Sequence, residues 1–174
     1  MKKLFCILLC TLMLAFTGCG KDLPAIETIG VDNFETVETE FAGCTRDDLI
    51  KAWGEPAVSL DDGMFGDIWE LEGELETLLN VYYNTDGSYN SAMISYLLAY
   101  TGTVTEILPK SSGDAALYTI TAELDDGSTV VLDTTPTTAF TGADQLNVGN
   151  RVNFICSAMT GSQYLQIQSA EIIG

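Results

Sequence analysis

The sequence predicts an α+β domain, a small helix on an antiparallel sheet, followed by a small all-β barrel. Three observations predict it. One capped and stopped helical stripe lies between Thr45 and Pro56; alternating strands joined by an Asp-Gly turn follow over residues 67–100; and five short Thr-, Val- and Ile-rich strands without a helical stripe fill residues 101–174.

The chain has 174 residues, 7 Lys+Arg against 25 Asp+Glu and no histidine, a formal net charge of −18. It has no basic groove with which to release the counterions of a phosphate backbone, which excludes nucleic acid as a partner. Without histidine there is no Ser/His or Cys/His triad, no ordinary base near neutral pH and no common zinc site. With 47% hydrophobic and 18% charged residues, the chain buries a core rather than behaving as a disordered acidic tail.

Met1-Lys2-Lys3 is a short basic stretch, and Leu4 to Phe16 is an apolar run too short to cross a hydrocarbon core. Phe16-Thr17-Gly18-Cys19 resembles a bacterial lipobox, with Phe16 where Leu is usual. The resemblance to bacterial lipoproteins implies removal of residues 1–18, acylation of Cys19 and anchoring of the chain to the lipid bilayer on its extracytoplasmic face. The bland alternatives are a secretory signal with an incidental Cys or a buried apolar helix; no A-x-A site precedes Cys19 to favour the first. Cleavage discards Lys2 and Lys3, leaving 5 basic against 25 acidic residues, net −20, beside a surface that is itself anionic. Gly20 after the Cys puts no Asp retention signal there, which permits outer-membrane delivery in a two-membrane cell. Cys6 and Cys10 leave with the signal, so Cys44 and Cys156 remain, as a disulfide or as two buried thiols.

Residues 19–35 have little periodicity and read as a tether. Glu35 to Phe41 alternates and predicts a short strand or extended lead-in opening a domain over 36–98. Thr45 is a natural N-cap, Asp47 and Asp48 sit in the first turn, Leu49, Ile50 and Trp53 form the apolar stripe, and Gly54 with Pro56 stops the helix. Asp67 to Glu72 alternates with Trp69 and Leu71 on one face. Leu78 to Tyr83 is a second strand, Asn84-Thr85-Asp86-Gly87 a hairpin turn, and Tyr89 to Tyr100 a third strand.

The frame formed by Gly43, Thr45, Leu49, Gly54, Pro56, Trp69 and Asp86-Gly87 resembles the SmpA/OmlA small-lipoprotein family and the wider β-lactamase-inhibitor-protein-like fold over residues 36–97. The chain continues for more than seventy residues beyond that frame. Strands are predicted there at Gly102–Leu108, Leu117–Leu124, Thr129–Asp133, Arg151–Ser157 and Tyr164–Ile173, with turns at 112–114, 125–127 and 160–162. Leu146 to Val152, followed by a final strand with Ala170 and Ile172, resembles the fourth and fifth strands of OB-fold-like barrels, giving a second domain over 99–174.

Each chemical candidate has a plain alternative. Asp61-Asp62 and Asp125-Asp126-Gly127 offer oxygen ligands, but neither matches a calcium loop and Asp-Gly is first a turn dipeptide. Glu70, Glu72, Glu74 and Glu76 read as a solvated strand rather than paired catalytic carboxylates. Trp53 and Trp69 belong to the core. Tyr82 and Tyr83 are adjacent and must face opposite ways, so that they, with Tyr89, are the candidate binding surface. Thr134 to Thr138 is an uncharged specificity loop or a connection, and Lys51, Lys110 and Arg151 are too scattered to form a site.

The expectation is therefore a non-enzymatic, lipid-anchored extracytoplasmic module with no cofactor or metal, binding a protein or envelope component, basic in character if the acidity is complementary to it. The alternatives are an inhibitor or sensor of a secreted or cell-wall enzyme and, behind it, a carboxylate-based envelope hydrolase.

Overall fold

The structure, a computed structural model, describes residues 22–60, 65–73, 75–110, 117–142 and 146–174. Among the described residues two short helices, α1 (Phe34–Glu38) and α2 (Arg46–Trp53), precede eight strands: β1 (Val58–Leu60), β2 (Gly66–Glu70), β3 (Thr77–Tyr83), β4 (Tyr89–Lys110), β5 (Leu117–Leu124), β6 (Thr129–Thr141), β7 (Arg151–Met159) and β8 (Leu165–Ile172). The strands hydrogen-bond in the order β1-β2-β3-β4-β5-β6-β8-β7, with β7 also on β4. The fold class is thus mainly β, which corrects the expected α+β class with its helix-on-sheet layer. The helical stripe is too short to define a layer, since α2 completely buries only Leu49, whereas β4 alone runs for 22 residues.

The chain divides into two compact units, residues 1–71 with 79–92 and residues 72–78 with 93–174. In the first, the segment expected to be a tether is wound, from Ile26 on, into 3-10 turns that lead into α1. Ile29 and Phe34 are buried there and the Trp53 indole N–H donates to the Pro24 carbonyl at 2.9 Å. The expected strand at 35–41 is α1 and a further 3-10 turn, Thr39–Phe41. Phe34, Val37 and Phe41 recur at helical spacing, with Phe34 and Phe41 buried and Val37 half-buried, and this stripe outweighs the polar alternation between them. Phe41 packs edge-on to Trp53 at 5.2 Å and to Tyr89 at 5.8 Å, and Trp53 edge-on to Trp69 at 5.4 Å, arrangements that favour aromatic pairs beyond their buried area.

In the second unit β4 to β8 close on themselves. The pairs β4–β5, β5–β6, β7–β8 and β4–β7 are antiparallel, and β6–β8 is parallel. Closure leaves none of these strands as an open edge. Val152, Phe154, Cys156 and Ala158 point inward along β7, and with Ile120, Leu132 and Ile167 among others they make the interior. β4 continues through the break expected near Gly102, where β5 comes so close that a Cβ would lie 2.6 Å from the Glu123 carbonyl oxygen. The Thr134–Thr138 segment is part of β6 rather than a loop. It forms a bulge where the register with β8 shifts, held by Thr135, Thr137 and Thr138 hydroxyls, with Thr138 donating to the Ile167 carbonyl at 2.7 Å. Pro136 sits in that bulge, where a missing N–H breaks no ladder bond.

Candidate functional site

The first unit concentrates its polar interior at one place. Thr45 caps α2: its Oγ1 accepts from the Asp48 N–H at 3.3 Å, and the Asp48 carboxylate accepts from the Thr45 N–H at 2.9 Å. The Arg46 N–H donates to the Gly87 carbonyl at 3.0 Å, tying the start of α2 to the turn between β3 and β4. That turn is set by the sequence Asp86-Gly87-Ser88, in which the Asp86 carboxylate accepts from the Ser88 N–H at 2.9 Å.

Held there, the Arg46 side chain reaches β2. Its Nε donates to Asp67 Oδ2 at 2.7 Å and its Nη2 to Asp67 Oδ1 at 3.0 Å, a bidentate pair. Ser59, directly opposite Asp67 in the β1–β2 register, donates to Oδ1 at 2.7 Å. The Asp67 side chain is fully buried, whereas 42% of the Arg46 side chain is exposed. Burial pushes the Asp67 carboxyl up, but the bonds from Arg46 and Ser59 outweigh it and hold the group below its usual range. The bond to Asp67 is also the main reason the Arg46 guanidinium is held more firmly protonated than usual. Tyr83, on β3, is 6% exposed; its buried hydroxyl makes no hydrogen bond of good geometry, and burial followed by the Asp67 charge raises its pKa. These residues line an open cavity of about 210 Å³, with Phe65, 54% exposed, and Asn84 also on its wall. Asp67 is held ionised, Arg46 protonated and Tyr83 neutral near pH 7, so the cavity presents fixed charge and hydrogen-bonding groups rather than a group poised to exchange a proton.

Of the residues singled out in the sequence, Tyr83 is buried in this cavity wall and Tyr82 is half-buried, so adjacency sorts them as expected but sends Tyr83 inward. Tyr89 is half-buried and donates to Glu38 Oε1 at 2.7 Å, which together with burial raises its pKa. These three tyrosines do not form an exposed platform. Cys156 is a free, buried thiol, pushed up to about 12 by burial, so the Cys44–Cys156 pairing is not formed. Cys44 is disulfide-bonded. Cys19 and Asp61-Asp62 lie outside the described residues. Asp125-Asp126-Gly127 is a turn in which Asp126 accepts from the Ser128 N–H at 2.9 Å and Asp125 pairs with Arg151 at 2.7 Å. Among the described residues no three His, Cys, Asp or Glu side chains are grouped to hold a metal.

Sequence reasoning missed Arg46 and Asp67. The signal was present: Asp67 shares its strand face with Trp69, and a carboxylate on the buried face of a strand requires a cation or several donors. Compared with protein families, with curated proteins and with solved structures, the chain matches none.

Proposed function

We propose that this chain is a bacterial lipoprotein, anchored through acylated Cys19 to the extracytoplasmic face of the cell membrane, which binds a protein or envelope component and performs no catalysis. The Arg46–Asp67–Ser59 cluster carries the reading. Its acid, base and hydroxyl groups are spent on one another in an open cavity, an arrangement that supports recognition, and the exposed Phe65 supplies an apolar anchor at the rim. The net charge of −18 favours a partner that is neutral or basic. The lipobox-like Phe16 to Cys19 supports the anchor, and the order in which β4 to β8 close supports the likeness of the second half to OB-fold-like barrels.

Two measurements test this. Radiolabelled palmitate is expected to enter the wild-type chain and not Cys19→Ala. A photo-crosslinking amino acid at Phe65, used in living cells, is expected to give a discrete adduct that disappears with Arg46→Ala. Adducts no different from those obtained at exposed Val131 would reject the cavity as the binding site.

A further inference from the structure

The second unit carries a groove of its own on the outer surface of the closed barrel. The β4–β7 register sets Leu97 opposite Ser157, and the Leu97 N–H donates to the Glu76 carbonyl at 3.0 Å, so that Glu76 stands on one bank. Gln168 on β8 forms another. The register of β7 with β8 slips beside it, and its Nε2 donates to Ser157 Oγ at 2.7 Å. The space is about 410 Å³, lined by Glu76, Ser95, Tyr96, Leu97, Ser157 and Gln168, within the range of small-molecule sites of about 300–1,000 Å³.

We infer that this groove is a saccharide-binding site, taking a neutral or amine-bearing sugar unit of a glycan. Four features of the lining select that chemistry. Two serine hydroxyls and a primary amide carry donor and acceptor atoms of the kind sugar hydroxyls pair with, and the Ser157 hydroxyl, which donates to the Gln166 carbonyl at 3.5 Å, keeps a lone pair for a ligand. The Ser157–Gln168 bond fixes the amide, leaving its carbonyl oxygen and second N–H for a ligand. Leu97, on the same face as Ser157, offers apolar surface to the C–H face of a ring. Among the described residues the lining holds no cation and one carboxylate, Glu76, in a chain of net charge −18, which disfavours phosphates, sulfates and acidic sugars. An extended peptide is the less suitable occupant. It would bind by adding a strand, and the strands flanking the groove are already paired on both sides, β7 by β4 and β8, and β8 by β7 and β6. The inference does not rest on the Arg46 cavity, which lies in the other unit.

The test is titration of the detergent-solubilised full chain, amide resonances observed by NMR, with chitotetraose, its deacetylated tetramer, maltotetraose and, as controls, trilysine and sialic acid. Saturable shifts are expected at Leu97, Ser157 and the Gln168 side-chain amide with at least one tetramer, up to about 10 mM. Gln168→Ala and Ser157→Val are expected to weaken binding by about tenfold, the scale of one lost hydrogen bond. Glu76→Gln is expected to weaken only the amine-bearing tetramer. Circular dichroism identifies any variant that has lost its fold, and Glu76→Gln, on an exposed side chain, provides a readout that does not touch the core. Absence of shifts with all three tetramers, shifts unaffected by the variants, or equal shifts with trilysine or sialic acid would each overturn the inference.

Discussion

Asp67→Asn is the sharpest test of the cavity's construction. The substitution keeps the side-chain volume but removes the charge that accepts two bonds from Arg46 and one from Ser59. Breaking a buried ion pair by removing one partner costs about 3–5 kcal/mol. Here the partner left behind is the Arg46 side chain, 42% exposed, which rehydrates and lowers the expected cost to about 2–3 kcal/mol. For a chain of this size that corresponds to a fall in Tm of about 4–12 °C. Both tryptophans, Trp53 and Trp69, belong to the same unit as Asp67, so tryptophan fluorescence during urea or thermal unfolding reads that unit alone. The pH dependence supplies a second readout. The folded carboxyl titrates below its unfolded value, so its stabilisation is complete above the unfolded pKa and is lost as pH falls through the folded one. The gap between wild type and Asp67→Asn is therefore expected to be constant near neutrality and to shrink below about pH 4. No gap at pH 7, or a gap unchanged on acidification, would refute the reasoning.

Phe34→Ala is expected to destabilise the first unit by about 3–5 kcal/mol, read by the same tryptophan signal, because the side chain is 3% exposed; a tether residue would cost nothing measurable. Gly142→Ala is expected to be more damaging to the barrel than Gly102→Ala, by circular dichroism melting. Gly142 combines a φ of 89° with a Cβ position 2.2 Å from the Ile172 carbonyl oxygen, whereas Gly102 meets only the crowding against β5. Cys156 is expected to resist alkylation in the native protein at pH 8 and to react once urea opens the barrel; rapid native labelling would contradict its burial and raised pKa.

Much of the second unit was legible because its signal is local and has a strict period of two. Val152, Phe154, Cys156 and Ala158 alternate inward along β7, and Gly127 and Gly161 mark tight turns. The course of β4 was not legible in full. A glycine in a strand reads as a break, and only the nearness of the Glu123 carbonyl shows why Gly102 instead lets the strand pass. The N-terminal stretch failed for a different reason. Between Phe34 and Phe41 the polar residues alternate at period two while the apolar ones recur at period 3.6, and burial, which decides between them, is a tertiary quantity.

The cavity was invisible for a related reason, and it explains why composition alone misleads in this protein. With 7 basic residues against 25 acidic ones, cations look too scarce to build anything. Scarcity makes their placement more informative. Arg46, Lys110 and Arg151 each pair with an aspartate, Asp67, Asp133 and Asp125 respectively. Two of those aspartates keep water nearby, Asp133 in part and Asp125 largely, and those pairs add little stability. The Asp67 side chain is fully buried, so Arg46 and Ser59 stand in for the solvent it has lost, and removing Arg46 leaves an uncompensated charge. Among the described residues, the one basic residue that satisfies a fully buried acid also lines an open cavity with an aromatic rim. Stability and the proposed recognition therefore meet at this position. Arg46→Lys, which keeps the charge but not the bidentate geometry, is expected to weaken both the fold of the first unit and crosslinking from residue 65, whereas Phe65→Ala is expected to weaken crosslinking of a partner at neighbouring positions while leaving the unfolding transition in place.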